Sequence, residues 1–129
     1  MTTEKKAEPS PQVHVLIVDD EKVVCDALAR RLRENGFTIT VAYNGVTALQ
    51  LIQEQCFDVA LIDIRMPKID GFGVLRGIRE RCPDAKAIMM TAYADIRSAV
   101  DSISSGAVDI VSKPVDIDEV IITIRRSLG

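Results

Sequence analysis

Apolar residues recur along this chain in two alternating rhythms. Val13 to Val18 is a short run rich in β-branched residues that ends at Asp19-Asp20, which suits a buried parallel strand. Val24, Ala27, Leu28 and Leu32 then recur at helical spacing until Asn35-Gly36, a natural helix stop. Thr38 to Ala42 predicts a second strand. Asn44-Gly45 is a dipeptide favoured in hairpins, but Val46, Leu49 and Ile52 follow at helical spacing, so the expectation is a strand-to-helix turn. Asp58 to Ile62 predicts the third strand, ending at Asp63, and Met66-Pro67 and Asp70-Gly71 carry turn chemistry before a helix around Phe72 to Arg81. Lys86 to Met90 is the fourth strand, ending at Thr91. Ile96, Ala99, Val100 and Ile103 make one helix face, stopped by Gly106. Ala107 to Val111 is the fifth strand, ending at Lys113-Pro114, and Ile117, Val120, Ile121, Ile124 and Leu128 form the apolar face of a last helix.

Five repeats of strand then helix imply an α/β domain whose parallel sheet is covered on both sides. Right-handed crossovers restrict the topology, and the expectation is a flavodoxin-like (βα)5 three-layer sandwich with five strands in the order 2-1-3-4-5. The domain is expected over residues 13–128, behind a polar tail, residues 1–12, that holds Pro9 and Pro11 and is read as flexible. With 129 residues, 47% of them hydrophobic, the chain fits one domain with a real core.

Sixteen Lys and Arg against 19 Asp and Glu leave a net charge of −3, which argues against broad binding to a nucleic-acid backbone. No apolar run approaches the roughly 18 residues of a membrane span, and the N-terminus lacks the apolar stretch of a secretory signal. A cytoplasmic domain that binds neither membrane nor nucleic acid directly is the expectation. Cys25, Cys56 and Cys82 are far apart and form no CxxC pair. A metal site or redox pair is one reading of them, and small, buried, reduced side chains is the preferred one. His14 is the only histidine, so a His-based metal cluster is impossible, and a strand start facing solvent is its expected place. No glycine-rich phosphate-cradling motif follows any strand.

In sheets of this kind ligands bind beyond the carboxyl ends of the strands. The residues there are Asp19 and Asp20, Asp63, Thr91 and Lys113. In the 2-1-3-4-5 order the first and third strands are neighbours, so three carboxylates converge with a hydroxyl and an ammonium beyond them. At ~4 Å each like-charge pair costs on the order of 4 kcal/mol at an effective dielectric of 20. Such a cluster needs a cation or raised pKa values, and a few hard oxygen ligands suit Mg²⁺. A carboxylate can attack phosphorus to give an acyl phosphate, while Mg²⁺, Lys113 and Thr91 neutralise the phosphoryl oxygens. Asp63 is the best nucleophile, because its strand is central and it stands apart from the Asp19-Asp20 pair. Taken singly, Asp20 and Thr91 are also ordinary helix caps, Asp63 a loop acid and Lys113 a solvated charge. Their joint placement at strand ends is what singles them out.

The chain closely resembles the receiver domain of two-component response regulators. The matching pieces are VLIVDDE (Val15 to Glu21), AYNGVTAL (Ala42 to Leu49), DVALIDIRMPKIDGFGVL (Asp58 to Leu75), MTAYAD (Met90 to Asp95) and GAVDIVSKPVDIDEV (Gly106 to Val120). The resemblance implies that Asp63 accepts phosphate from a sensor histidine kinase or a phosphotransfer protein. It implies that Asp20, Asp63 and the Arg65 backbone carbonyl hold Mg²⁺, with Asp19 acting directly or through water. Thr91 would bond the phosphoryl group, Lys113 would pair with it, and the Lys113-Pro114 peptide would be cis. It also implies a switch, not an enzyme, read out by partner binding or homodimerisation through the face made by the fourth helix, fifth strand and fifth helix (α4-β5-α5).

Departures from the family pattern are informative. Ile110 stands where the family usually has Tyr or Phe on the fifth strand, an aromatic that commonly swings inward when the threonine follows the phosphate. Val115 replaces a frequent Phe. Arg65 and Tyr93 occupy positions that tune phosphoryl lifetime in the family; either they shield the acyl phosphate from water or they are merely exposed side chains. Two other classes compete. An Asp-nucleophile phosphatase of the haloacid-dehalogenase kind typically has a second Asp two residues after the nucleophile, where this chain has Arg65. A phosphorylation-independent interaction module is favoured only by Ile110. Asp95, Arg97, Asp101, Asp109 and Arg125 are expected to give the α4-β5-α5 face mixed charge, which suits dimerisation or an ordinary solvated surface.

Overall fold

A computed structural model describes residues 12–92 and 96–129 of the chain. In chain order the elements are β1 (His14–Val18), α1 (Lys22–Glu34), β2 (Thr38–Ala42), α2 (Gly45–Glu54), β3 (Val59–Asp63), α3 (Gly71–Arg81), β4 (Lys86–Thr91), α4 (Ile96–Ser104), β5 (Asp109–Ser112) and α5 (Ile117–Leu128). The five strands form one parallel sheet in the order β2-β1-β3-β4-β5, as expected.

Alternation along the strands divides the core into two layers. Leu16, Val18, Ala60 and Ile62 pack with Ala48 and Ile52 of α2 and Val74, Leu75 and Ile78 of α3. Val15, Ile17, Val59 and Leu61 pack with Cys25, Leu28 and Leu32 of α1 and Val120 and Ile124 of α5. A strand covered on both faces must be apolar throughout, and every residue of β3 is buried. Val18 lies beside Ile62, and Asp63 beside Met90, so β1, β3 and β4 end at one level. That common level is what gathers the strand-end residues.

Local chemistry sets the element boundaries. Asn44 caps α2, its side chain accepting from the Thr47 N–H, so the Asn44-Gly45 pair is a helix start and not a hairpin. Asp70 caps α3 through the N–H groups of Phe72 and Gly73. Gly106, at a φ of +108°, ends α4 in a conformation that L side chains rarely adopt.

Several expectations need correction. Strand β5 begins at Asp109, because Ala107 still bonds back to the Ser102 carbonyl in the turn that closes α4. On α4, Val100 and Ile103 are 57% and 52% exposed and Ala99 is half-buried, while Ser102 is fully buried and its hydroxyl has no hydrogen-bond partner among the described residues. Periodicity identifies a stripe but not the neighbour that covers it. Arg125 leans over the Phe37 ring, on the α1 side, and its neighbour Arg126 pairs with Asp109. His14 is half-buried; its ring bonds the Thr40 hydroxyl and meets Phe57 edge-on. Finally, Cys56 and Cys82 are joined in a disulfide, and only Cys25 is the buried free thiol expected of all three. The tail except Gln12, Tyr93 and Asp95 lie outside the described residues. No described helix is long and apolar enough to cross a membrane.

Candidate functional site: an acidic cavity at the strand ends

Asp19, Asp20 and Asp63 converge, with one carboxylate oxygen of each lying within 4.8 Å of the others. Asp19 follows β1 and is 1% exposed; Asp63 closes β3 and is 6% exposed; Asp20 is exposed. Asp20 and Asp63 line a cavity of about 300 Å³ together with Glu21, Arg65, Thr91, Ala92 and Lys113. The sequence-predicted residues Asp19, Asp20, Asp63, Arg65, Thr91 and Lys113 are therefore brought together. Ile110 is not among the lining residues and packs, half-buried, against the cluster that contains Met89 and Ala107.

Each side chain is aimed by its backbone. The Lys113-Pro114 peptide is cis, and the Lys113 N–H bonds the Thr91 carbonyl, carrying the β4–β5 pairing one step past the strands. Lys113 Nζ donates to Asp19 Oδ2 at 2.9 Å and Glu21 Oε1 at 3.0 Å, and reaches Asp63 Oδ2 only at 3.5 Å. Asp63 Oδ1 accepts from the Arg65 N–H at 3.3 Å, and Asp19 Oδ1 from the Glu21 N–H at 2.9 Å. The Asp63 loop turns back tightly, with the Gly71 N–H on the Ile64 carbonyl at 2.8 Å. A β-carbon at Gly71 would collide with the Asp63 carbonyl, so a side chain there would displace the loop. The helix that follows Asp20 is capped by Glu21, which makes no side-chain cap bond, so neither Asp20 nor Asp19 is consumed as a cap.

Charge is the dominant physics of the cavity. Lys113 bonds three carboxylates, and Asp20 lies beside them. Burial pushes Asp63 up to about 6; Lys113 opposes that, and the negative fields of Asp19 and Asp20 add to it. Burial disfavours the charge on Lys113, but its bonds to Asp19 and Glu21 and the fields of Asp19 and Asp63 prevail, raising its pKa. Hard oxygen donors clustered at this spacing fit a divalent cation such as Mg²⁺, which would relieve the repulsion among the acids.

The raised Asp63 has a measurable consequence. Between about pH 4 and 6 the folded chain holds this proton more firmly than the unfolded chain, so metal-free stability falls as pH rises through that window. Asp63→Asn is therefore expected to stabilise the metal-free protein at pH 7 by about 1–3 kcal/mol, with the gain vanishing at pH 4. Thermal melts in chelator at the two pH values check this. Equal gains at both would assign the effect to packing instead.

Glu21 is the residue that sequence reasoning missed. It takes the second-shortest bond to Lys113, and its position directly after Asp19-Asp20 was the available signal.

A doubly wound sheet with this acid, hydroxyl and lysine arrangement defines a class, and comparison with known proteins agrees with it. The profile of the response regulator receiver domain matches residues 15–125, and the chain belongs to that family. It is 38% identical over 118 residues to the transcriptional regulatory protein ZraR of Klebsiella oxytoca, a match covering 92% of this chain and 27% of that protein. The chain thus spans about a quarter of the length of the curated relatives it matches. Among solved structures, a CheY-like receiver domain from Methanospirillum hungatei superposes with a TM-score of 0.86 at 30% identity, covering 92% of this chain and 94% of that one. A response regulator from Burkholderia pseudomallei, solved with a phosphorylated aspartic acid, a calcium ion and citrate, gives a TM-score of 0.82 at 26% identity, covering 88% and 66%.

Proposed function

We propose that residues 13–128 form a Mg²⁺-dependent phosphoacceptor of a cytoplasmic two-component relay, acting as a switch and not as an enzyme, with Asp63 as its nucleophile. The observation that carries this reading is the convergence of a buried, central-strand carboxylate with Asp19, Asp20 and Lys113 at one open cavity. The phosphorylated aspartate of the Burkholderia relative supports it. An Asp63 oxygen attacks the phosphorus of a phosphohistidine on a kinase or phosphotransfer protein. The O–P bond forms as the P–N bond breaks, and the departing imidazole takes up a proton. Asp20, Asp63 and the Arg65 carbonyl would hold Mg²⁺, with Asp19 behind them, and the bound ion would supply charge neutralisation to the phosphoryl oxygens. The long 3.5 Å contact from Lys113 to Asp63 leaves its ammonium able to turn toward a new phosphoryl oxygen, while Thr91 offers its hydroxyl from the next strand.

The output face is α4-β5-α5. Its aliphatic residues Val100, Ile103 and Ile122 are exposed, and the buried unpartnered hydroxyl of Ser102 weakens the packing of α4. Both features fit an element that changes arrangement or partner, including a second copy of this chain, when Asp63 is modified. Half-buried Ile110 works there through packing, in place of a swinging aromatic ring.

The donor docks beside the cavity. A second hollow of about 560 Å³ runs between α1 and the start of α5, lined by Val23, Val24, Leu28, Pro114, Val115 and Ile117, and shares Glu21 and Lys113 with the acidic cavity. Val23 is 83% exposed on it. Apolar surface next to a reactive mouth suits the helix that carries the donor histidine. Val23→Asp is expected to slow phosphotransfer from a phosphohistidine protein by at least about 10-fold, while labelling by acetyl phosphate is unchanged. Equal slowing with both donors would show damage to the acceptor; no slowing with either would move the docking surface elsewhere.

A further inference from the structure

Cysteine chemistry sits apart from the acidic cavity, at the other end of the sheet. Cys56 follows the C-cap of α2 just before β3, and Cys82 is the C-cap of α3. The Cα atoms are 5.6 Å apart, a spacing that a disulfide bridges without moving the backbone. The same backbone suits the two thiols, since the Cys56 sulfur lies 3.8 Å from the Arg81 carbonyl, within reach of an S–H. The two helices are held together independently of the bridge. Arg81 donates to the Gln53 carbonyl at 3.0 Å, and Gly77 lies so close to Leu49 that a β-carbon there would collide with it.

We propose that Cys56 and Cys82 are a reversible dithiol–disulfide site that fastens the carboxyl ends of α2 and α3 when oxidised. Accessibility divides the roles: Cys56 is exposed, and Cys82 is 4% exposed. The co-reactant is a low-molecular-weight disulfide. The Cys56 thiolate attacks it, forming a mixed disulfide and releasing one small thiolate. The Cys82 thiolate then attacks the Cys56 sulfur and releases the second. Two electrons pass from the protein dithiol to the small disulfide, and the two cysteine protons end on the two released thiols. Cys25 stays outside this chemistry, because it is fully buried and burial pushes its thiol up to about 12. The bridge closes a loop across 26 positions of sequence and ties down the far end of the helix whose first turn closes on the Asp63 loop.

The test equilibrates the full chain in buffers graded from reduced to oxidised glutathione, traps free thiols by alkylation and maps the peptides. The expected result is a linked Cys56–Cys82 peptide pair at the oxidised end, and two alkylated residues at the reduced end. Cys25 should become reactive only after unfolding. The oxidised form should melt about 10 °C above the reduced form, a difference that Cys56→Ser abolishes. Free thiols at 56 and 82 throughout would overturn the proposal. So would a stable glutathione adduct on Cys56, or a bridge that reduced glutathione cannot open.

Discussion

Incubated with acetyl phosphate and Mg²⁺, the wild-type chain is expected to take up one phosphoryl group, and Asp63→Asn is expected to lose that uptake by at least about two orders of magnitude. The substitution keeps the size of the side chain and an oxygen for the Arg65 N–H, so the loop has no reason to move. What it removes is the anionic oxygen that attacks phosphorus. Asp19 and Asp20 are poor substitutes. Asp19 is 1% exposed and held by Lys113 and the Glu21 N–H, and Asp20 lies at the rim. Removing Mg²⁺ with chelator should suppress labelling of the wild type in the same way, because an incoming phosphoryl group would otherwise meet a net negative cavity. Fold is controlled by melting both proteins in chelator, where Asp63→Asn is expected to be the more stable at pH 7.

Lys113→Met should have the largest effect on stability. It keeps the aliphatic stem but withdraws the ammonium that bonds Asp19, Glu21 and Asp63. Asp19 is then a buried carboxylate that has lost the ammonium bonded to it, while Glu21 is exposed enough to be hydrated. Breaking a buried pair from one side costs about 3–5 kcal/mol. Melting in chelator should show that loss, and two further measurements locate its cause. Mg²⁺ at about 100 times its dissociation constant should restore about 2.7 kcal/mol, because the ion supplies replacement charge to the native state alone. Adding Asp19→Asn to Lys113→Met should also recover much of the loss, since the stranded charge is then gone. A destabilisation indifferent to both would mean that Lys113 acts through packing of its stem.

Much of this was legible in the sequence, for identifiable reasons. The parallel sheet followed from five repeats, because parallel strands need helical crossovers of one hand, and the resemblance to receiver domains helped to choose its strand order. Asp19, Asp63, Thr91 and Lys113 could be placed because each follows or closes a strand-forming run, and the ends of neighbouring parallel strands must lie side by side. What escaped depends on contacts between distant pieces. The bond between Cys56 and Cys82 exists because α2 and α3 lie alongside each other, and nothing in the sequence between two cysteines 26 positions apart announces it. The exposure of Val100 and Ile103 on α4 was hidden for a related reason: they repeat at the spacing of a core face, yet both are exposed while Ser102 is buried. Arg125 and Arg126 are indistinguishable as a charge pair until the helix phase assigns one to Phe37 and the other to Asp109. Glu21 belonged to the cavity although its neighbours Asp19 and Asp20 seemed sufficient.

The central claim is that Asp63 carries the phosphoryl group, and locating that group in the wild-type chain tests it most directly. After reaction with acetyl phosphate and Mg²⁺, borohydride reduction converts an aspartyl phosphate to homoserine, and peptide mass spectrometry locates the change. Homoserine is expected at position 63, with unmodified aspartate at 19 and 20. Homoserine at 19 or 20, or a phosphoryl group that survives borohydride on a hydroxyl side chain, would contradict it.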